Sequence, residues 1–201
     1  MAPAWRLLAG KTAYITGSTT GIDRTITLEY LHRGYNVTIN HLGPNGPKDI
    51  PAGQLIDIAC DITDLATGTN LVAEVIKKWG ALDVFASPAR RGDSIIGVSS
   101  ISALFGGELQ VHYTPNKAAV LSMIQSMAIT LAKDNIRCNA LRYENLAKKE
   151  YLEKRIPMGR VGRPEDIAGP AVFLASEALS GYMTGSSGRM HVHTLAVISA
   201  I

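Results

Sequence analysis

Lys11-Thr-Ala-Tyr-Ile-Thr16 is followed at once by Gly17-Ser-Thr-Thr-Gly21-Ile22-Asp23, and this stretch decides the fold. The first six residues are rich in β-branched and aromatic side chains, which predicts a short strand. The two glycines predict a tight turn, and the amphipathic residues 24–32, which stop before Gly34, predict a helix. A strand, a glycine turn and a helix start form an arrangement that cradles phosphates, because the first helical N–H groups point at the anion. An ordinary turn between strand and helix is the simpler alternative.

A second group of residues, Ser100, Tyr113 and Lys117, points to redox chemistry. Tyr113 and Lys117 are four residues apart, so on a helix both side chains project from one face. An ammonium beside a phenol favours the phenolate. Such a phenol can exchange the proton of a substrate hydroxyl while hydride moves to or from a nicotinamide. A surface helix that happens to carry Tyr and Lys is the alternative, because this pair alone is common.

The rest of the chain alternates between strand-like and helix-like segments. We predict strands at 11–16, 36–41, 54–59, 82–86, 94–99 and 136–141, and helices at 22–33, 64–79, 112–134, 147–155 and 164–176. This alternation indicates an α/β fold of Rossmann type, a doubly wound parallel sheet with helices on both faces. The last stretch, from Ser186 to Ile201, is a candidate final strand.

The composition fits one domain over residues 1–201, a length that can bury a sizeable core. The net charge of +3 is mild and the basic residues do not cluster, so nucleic-acid binding is not predicted. The two cysteines, expected as small core residues, fit a reducing compartment. No apolar run reaches membrane-spanning or signal-peptide length, which predicts a cytoplasmic protein without a membrane partner. His191 and His193 lack a third ligand at a matching spacing, so no metal site is predicted.

With these motifs in place, the chain resembles the short-chain dehydrogenase/reductase family, and more narrowly its sugar 1-dehydrogenase group, which includes fungal L-rhamnose 1-dehydrogenases. The segments that carry the resemblance are Thr16-Gly-Ser-Thr-Thr-Gly21-Ile22, Cys60-Asp61-Ile62-Thr63, Leu82-Asp-Val-Phe85, Ser94-Ile-Ile-Gly-Val-Ser-Ser-Ile-Ser102, His112-Tyr113-Thr-Pro-Asn-Lys117, Gly162-Arg-Pro-Glu-Asp-Ile-Ala168, Val172-Phe-Leu-Ala-Ser176 and Tyr182-Met-Thr-Gly185. Each segment is a weak signal alone, but their combination in family order along almost the whole chain is specific.

The resemblance implies an NAD(P)-dependent oxidoreductase that acts on an alcohol, a sugar or a carbonyl compound. It implies that Tyr113 is the acid/base, that Lys117 favours the phenolate and contacts the ribose, and that Ser100 holds the substrate oxygen. The cofactor-binding residues that it implies are Gly17, Thr19, Gly21, Ile22, Asp61, Ile62, Tyr113 and Lys117, with Asp61 and Ile62 beside the adenine.

The choice between NAD and NADP depends on the end of the second predicted strand, Asn40-His41-Leu42. An acidic residue there would hold a ribose 2′-hydroxyl, and a nearby arginine would accommodate a 2′-phosphate. Neither is present, so the choice stays open. His41 could approach a 2′-phosphate, although a histidine at a strand end is more often simply solvated.

The chain also departs from the family pattern. The connections 42–53 and 87–93 are too rich in proline and glycine, or too short, to hold a helix, so two crossover helices are predicted to be missing. In other members of the family, one of these helices carries the asparagine of the catalytic tetrad and helps to form the subunit interface. Without that helix, the sequence leaves open whether this chain forms a homo-oligomer. Arg142-Tyr143-Glu144-Asn145 replaces the Pro-Gly loop that covers the nicotinamide. A catalytically impaired or inactive remnant, acting at most as a nucleotide-binding or interaction module, is therefore the alternative.

Asp23 stands where the family has the third glycine of the turn. A carboxylate near a helix amino terminus stabilises the helix by about 0.3–1 kcal/mol. Two like charges about 4 Å apart, at an effective dielectric constant near 20, repel by about 4 kcal/mol. Even discounted severalfold, this repulsion between Asp23 and a pyrophosphate exceeds the gain at the helix end, so weak cofactor binding is predicted.

Overall fold

The computed structural model describes residues 9–43, 52–61, 63–83, 93–105, 110–143, 158–160 and 162–189. The strands are β1 (Thr12–Ile15), β2 (Asn36–His41), β3 (Leu55–Ala59), β4 (Ser94–Ser99), β5 (Arg137–Arg142) and β6 (Ser187–Arg189). The helices are α1 (Gly21–His32), α2 (Leu65–Trp79), α3 (Ser102–Phe105), α4 (Tyr113–Leu131), α5 (Glu165–Ala175) and α6 (Glu177–Ser180), with short 3₁₀ helices at Ala52–Gln54 and Ala132–Asp134.

The strands form two parallel groups of three. β2 lies between β1 and β3, and β5 lies between β4 and β6. Every pairing within the two groups is parallel. The strands of each group therefore end at a common edge, the edge at which α/β proteins of this type bind their ligands.

Asp83 joins the two groups of strands. Its backbone N–H donates to the Thr12 carbonyl at 2.9 Å, and its own carbonyl accepts from the Ser94 N–H at 3.0 Å. The Asp83 carboxylate also accepts hydrogen bonds, from the Thr12 N–H at 2.7 Å and from the Lys11 ammonium at 2.9 Å. The backbone of residue 83 thus lies between β1 and β4 and is bonded to both. Residues 84–86 of the predicted strand lie outside the described residues.

Successive residues of a strand point to opposite faces of the sheet, and helices cover both faces here. Ala13 and Ile96 pack with α1 and α5 on one face. Tyr14 packs with α2, and Ile95 packs with α4, on the other face. This arrangement confirms the doubly wound α/β fold, and burial of each large aliphatic side chain contributes about 1.5–3 kcal/mol to it.

The predicted elements are confirmed to within three residues at either end wherever the structure describes them in full. α3 and α6 were not predicted, because four residues are too few to show a periodicity. β6 lies in the first residues of the stretch from Ser186 to Ile201 that was a candidate final strand, and residues 190–201 lie outside the described residues. The predicted helix 147–155, His191 and His193 lie outside the described residues.

Of the two connections predicted to lack a helix, the described ends of 42–53 hold no α-helix, only the 3₁₀ helix that begins at Ala52. Most of 87–93 lies outside the described residues. No helix in the part of the chain that the structure describes is both long and apolar enough to cross a membrane. Cys60 and Cys138 are free thiols; Cys138 is buried in the core, and Cys60 is partly buried and packs against the core around Tyr14.

Candidate functional site

The glycine turn after β1 has the backbone that a phosphate site needs. Gly17 and Gly21 have φ values of +67° and +64°, in the left-handed region that strongly favours glycine. α1 begins at Gly21, and the side chain of its cap residue Thr20 makes no capping hydrogen bond. The first helical N–H groups are therefore left to other partners, and an anion is favoured there. Thr19 is partly buried in the turn, and Ile22 packs against the core.

Asn40 fastens this turn to the neighbouring strands, and sequence analysis missed this role. The buried Asn40 Oδ1 accepts from the Tyr14 hydroxyl at 3.1 Å and from the Gly17 N–H at 3.4 Å. Its Nδ2 donates to the Cys60 carbonyl at 3.4 Å. One amide side chain thus links the glycine turn to the segment that carries Asp61. The sequence feature that could have indicated this role is a polar residue, Asn40, at a buried position of a predicted strand.

Asp61, the implied adenine contact, lies just after β3 and is exposed. Its carboxylate accepts from the Thr63 hydroxyl at 2.7 Å and from the Thr63 N–H at 2.9 Å. These hydrogen bonds lower the pKa of Asp61, so the side chain is an anion at neutral pH. Ile62 lies outside the described residues, and an adenine contact by either residue stays a prediction.

Tyr113 is the first residue of α4, and Lys117 follows one turn later. The Lys117 ammonium lies 5.7 Å from the centroid of the Tyr113 ring, so both side chains lie on one side of the helix. Tyr113 is 38% exposed, which leaves its ring open to a ligand. The Lys117 ammonium also donates to the Val98 carbonyl at 3.0 Å, a backbone contact that the sequence did not predict.

A second hydrogen bond joins the start of α4 to the end of β4. The Ser99 hydroxyl donates to the Lys117 carbonyl at 2.7 Å. Because Val98 and Ser99 hold opposite ends of Lys117, the residue that follows them, Ser100, lies beside the same segment. The structure therefore brings the three predicted catalytic residues to one region, whereas their catalytic roles stay predictions.

Ser100 is almost completely buried and is engaged by Ser102. The two hydroxyl oxygens lie 2.6 Å apart, and the Ser102 N–H donates to the Ser100 hydroxyl at 3.2 Å. A hydroxyl has one hydrogen to donate. When Ser102 is the donor in this pair, Ser100 keeps its own hydrogen for a substrate oxygen. Ser102 is a second residue whose part in the site the sequence analysis missed.

Asp23 lies beside both the glycine turn and Lys117. Its Oδ2 is 3.5 Å from the position that a Cβ on Gly17 would occupy. Asp23, Lys117 and Thr16 line a cavity of about 400 Å³ between β1 and β4, whose other walls are mostly apolar. Burial raises the pKa of Asp23, and the Lys117 ammonium acts in the opposite direction. The backbone of the turn thus suits the phosphates of a dinucleotide, whereas the negative charge of Asp23 repels them.

Comparison with known proteins identifies the family. A family model described as "short chain dehydrogenase" matches residues 11–90, and one described as "Enoyl-(Acyl carrier protein) reductase" matches residues 86–190. The L-rhamnose 1-dehydrogenase (NAD(P)(+)) of Sphingomonas sp. (strain SKA58) is 35% identical over an alignment of 252 positions, gaps included, which takes in 94% of this chain and 99% of that protein. The L-rhamnose-1-dehydrogenase of Scheffersomyces stipitis is 37% identical over an alignment of 243 positions, gaps included, which takes in 90% of this chain and 94% of that protein.

The fold also matches solved structures of other proteins. The crystal structure of 3-ketoacyl-(acyl-carrier-protein) reductase from Brucella melitensis complexed with NADH matches with a TM-score of 0.82 at 21% identity. The match covers 92% of this chain and 98% of that one. At 21% identity this match shows the fold alone. The family models and the two rhamnose dehydrogenases show the family. The chain belongs to the short-chain dehydrogenase/reductase family.

Proposed function

We propose that this chain is a cytosolic NAD(P)-dependent oxidoreductase that oxidises a sugar or another alcohol, or reduces the corresponding carbonyl, with Ser100, Tyr113 and Lys117. We place the 1-hydroxyl of a sugar first among substrates, because two relatives above 30% identity are L-rhamnose 1-dehydrogenases. The observation that carries the proposal is the attachment of the Tyr113–Lys117 turn to the end of β4, beside Ser100.

In the oxidation, each of these side chains has a separate task. The Ser100 hydroxyl donates a hydrogen bond to the substrate oxygen, and the Tyr113 phenolate takes the proton of the substrate hydroxyl. The C–H bond of the same carbon breaks, and its hydrogen leaves with both electrons as hydride. A bound nicotinamide supplies the hydride acceptor. The Lys117 ammonium lies close enough to the phenol ring to stabilise its negative charge.

The chain's other residues would hold the cofactor. The N–H groups at the start of α1 would take the pyrophosphate, and Gly17 and Gly21 would let the backbone approach it. Asp61 would contact the adenine side, and Lys117 would contact the ribose. The expected partners are therefore small molecules, and neither nucleic acid nor a membrane is among them.

Two measurements test this function. Fluorescence titration of the purified chain with NADH and with NADPH, alongside a thermal melt, should show cooperative unfolding and saturable binding. Initial rates with L-rhamnose and either oxidised cofactor should show formation of reduced nicotinamide. Saturable binding without oxidation of L-rhamnose or other aldoses would reject the sugar substrate. A broad melt without binding would reject the oxidoreductase and support the inactive remnant, which the extensive coverage by relatives does not favour.

Replacement of Asp23 by glycine should tighten NADH binding about tenfold. The Asp23 carboxylate would repel the pyrophosphate of the cofactor. This repulsion is about 4 kcal/mol in close contact and is reduced severalfold by geometry and solvent. Since burial raises the pKa of Asp23, protonation should also tighten NADH binding to the unmodified chain as the pH falls. Calorimetric titration at several pH values measures both effects.

Asp23→Asn is the matched control, because it removes the charge and keeps the size of the side chain. Both variants should bind NADH more tightly, and the tightening on acidification should disappear in both. If Asp23→Gly and Asp23→Asn bind NADH as the unmodified chain does, the carboxylate does not oppose the cofactor.

A further inference from the structure

His41 is the last residue of β2, at the end of the strand near which a fold of this type receives the adenosine ribose, and Asp57 of β3 lies beside it, opposite Ile39. The His41 Nε2 is 3.6 Å from the Asp57 Oδ2. The register pairs Ile39 with Asp57 and His41 with Ala59, so His41 and Asp57 point to the same face of the sheet. The Asp57 side chain is 49% exposed and the His41 side chain 6%, so Asp57 is the accessible member of the pair.

Gly43 orients the His41 ring. The His41 Nδ1 is 2.7 Å from the Gly43 carbonyl oxygen. A carbonyl oxygen only accepts, so Nδ1 carries the hydrogen in this bond. The neutral ring therefore turns an unprotonated Nε2 toward Asp57, and a second proton on the ring would place an N–H against the Asp57 carboxylate. In neither state does the ring present an unshared N–H to a phosphate.

We propose that this pair makes the chain select NAD(H) over NADP(H), with Asp57 as the specificity-determining residue. The inference rests on the proposed function and deepens it by naming the cofactor. A ribose 2′-hydroxyl can donate a hydrogen bond to the Asp57 carboxylate. A 2′-phosphate carries charge of the same sign and is repelled.

The cation that a 2′-phosphate needs is not part of this pair. In this fold an arginine near the second strand accommodates the 2′-phosphate. Among the described residues, the basic side chain recorded within 4.0 Å of the Asp57 carboxylate is His41 and not a lysine or an arginine. By hydrogen bonding and by charge, the His41–Asp57 pair itself therefore favours a neutral hydroxyl over a phosphate.

Asp57→Asn tests the assignment, with affinities measured by fluorescence titration with NADH and with NADPH. The unmodified chain should bind NADH at least about tenfold more tightly than NADPH, and the variant should bind NADPH about three- to tenfold more tightly than before. NADH affinity should change less than about twofold, because an amide oxygen still accepts from the 2′-hydroxyl. The NADPH gain should shrink at high salt, because exposed charges are screened.

Glu74→Gln is the matched control, since it removes one negative charge from the exposed face of α2, where Glu74 pairs with Lys77 at 3.3 Å. It should leave the ratio of the two affinities unchanged. Asp57→Ser is a second variant and should shift the ratio in the same direction as Asp57→Asn. Equal binding of NADH and NADPH by the unmodified chain, or an unchanged ratio in both Asp57 variants, overturns this inference and leaves the oxidoreductase in place. Failure of both nucleotides to bind overturns the oxidoreductase and the inference together.

Discussion

Replacement of Tyr113 by phenylalanine is expected to lower kcat of the sugar oxidation by about 10²- to 10⁴-fold, the usual contribution of a general acid or base. The substitution removes only the phenol oxygen. Phenylalanine keeps the ring that lies 5.7 Å from the Lys117 ammonium, and it keeps the first turn of α4. The loss should therefore appear in kcat, whereas NADH affinity and the melting temperature should stay close to those of the unmodified chain.

Tyr182→Phe is the matched control for this prediction. Tyr182 is fully exposed, and the substitution is chemically identical. Steady-state kinetics with L-rhamnose, NADH titration and a thermal melt on both variants separate a lost proton acceptor from a lost fold. If Tyr113→Phe keeps kcat within a few-fold of the unmodified chain, the phenol does not transfer the proton and the redox assignment of this residue fails.

The strands, the helices and the shared side of Tyr113 and Lys117 could be predicted because they depend on local periodicity. Residues 36–41 read as a strand and formed one, and a spacing of four residues on α4 brought the phenol and the ammonium together. The bonds that hold the site could not be predicted in this way. Ser99 reaches the Lys117 carbonyl across 18 residues of sequence, and Asn40 reaches Cys60 across 20. Such contacts depend on how the elements pack.

His41 is a further residue whose contacts could not be predicted from the sequence. From the sequence it was a possible phosphate contact at a strand end. The structure ties its Nδ1 to Gly43 and turns its Nε2 toward Asp57, which argues against that role. Asp57 belongs to another strand and becomes a neighbour only through the parallel register of β2 and β3. The position of His41 in the sequence therefore did not indicate its partner, which depends on the pairing of the two strands.

Replacement of Asp83 by alanine should lower the free energy of unfolding by about 2–4 kcal/mol, since it leaves a buried N–H without its charged acceptor. Thr12 and Asp83 are both buried, and the carboxylate accepts from the Thr12 N–H at 2.7 Å. Urea denaturation measures the change. Lys11→Met removes only the partly exposed ammonium partner, whose side chain is 45% exposed, and should cost less than about 1 kcal/mol.

The same substitution should also affect the candidate functional site, because the backbone of residue 83 lies between β1, which leads into the glycine turn, and β4, which leads into Ser100. A loosened join would let the glycine turn and the proposed catalytic residues shift relative to each other, and a misplacement of about 1 Å can cost about 10²-fold in rate. We therefore expect Asp83→Ala to lower kcat/KM at temperatures where it is still folded. Asp83→Asn keeps an oxygen that can accept from Thr12 and should recover much of both losses. An Asp83→Ala variant that unfolds at the same urea concentration as the unmodified chain would show that the backbone bonds alone join the two groups of strands.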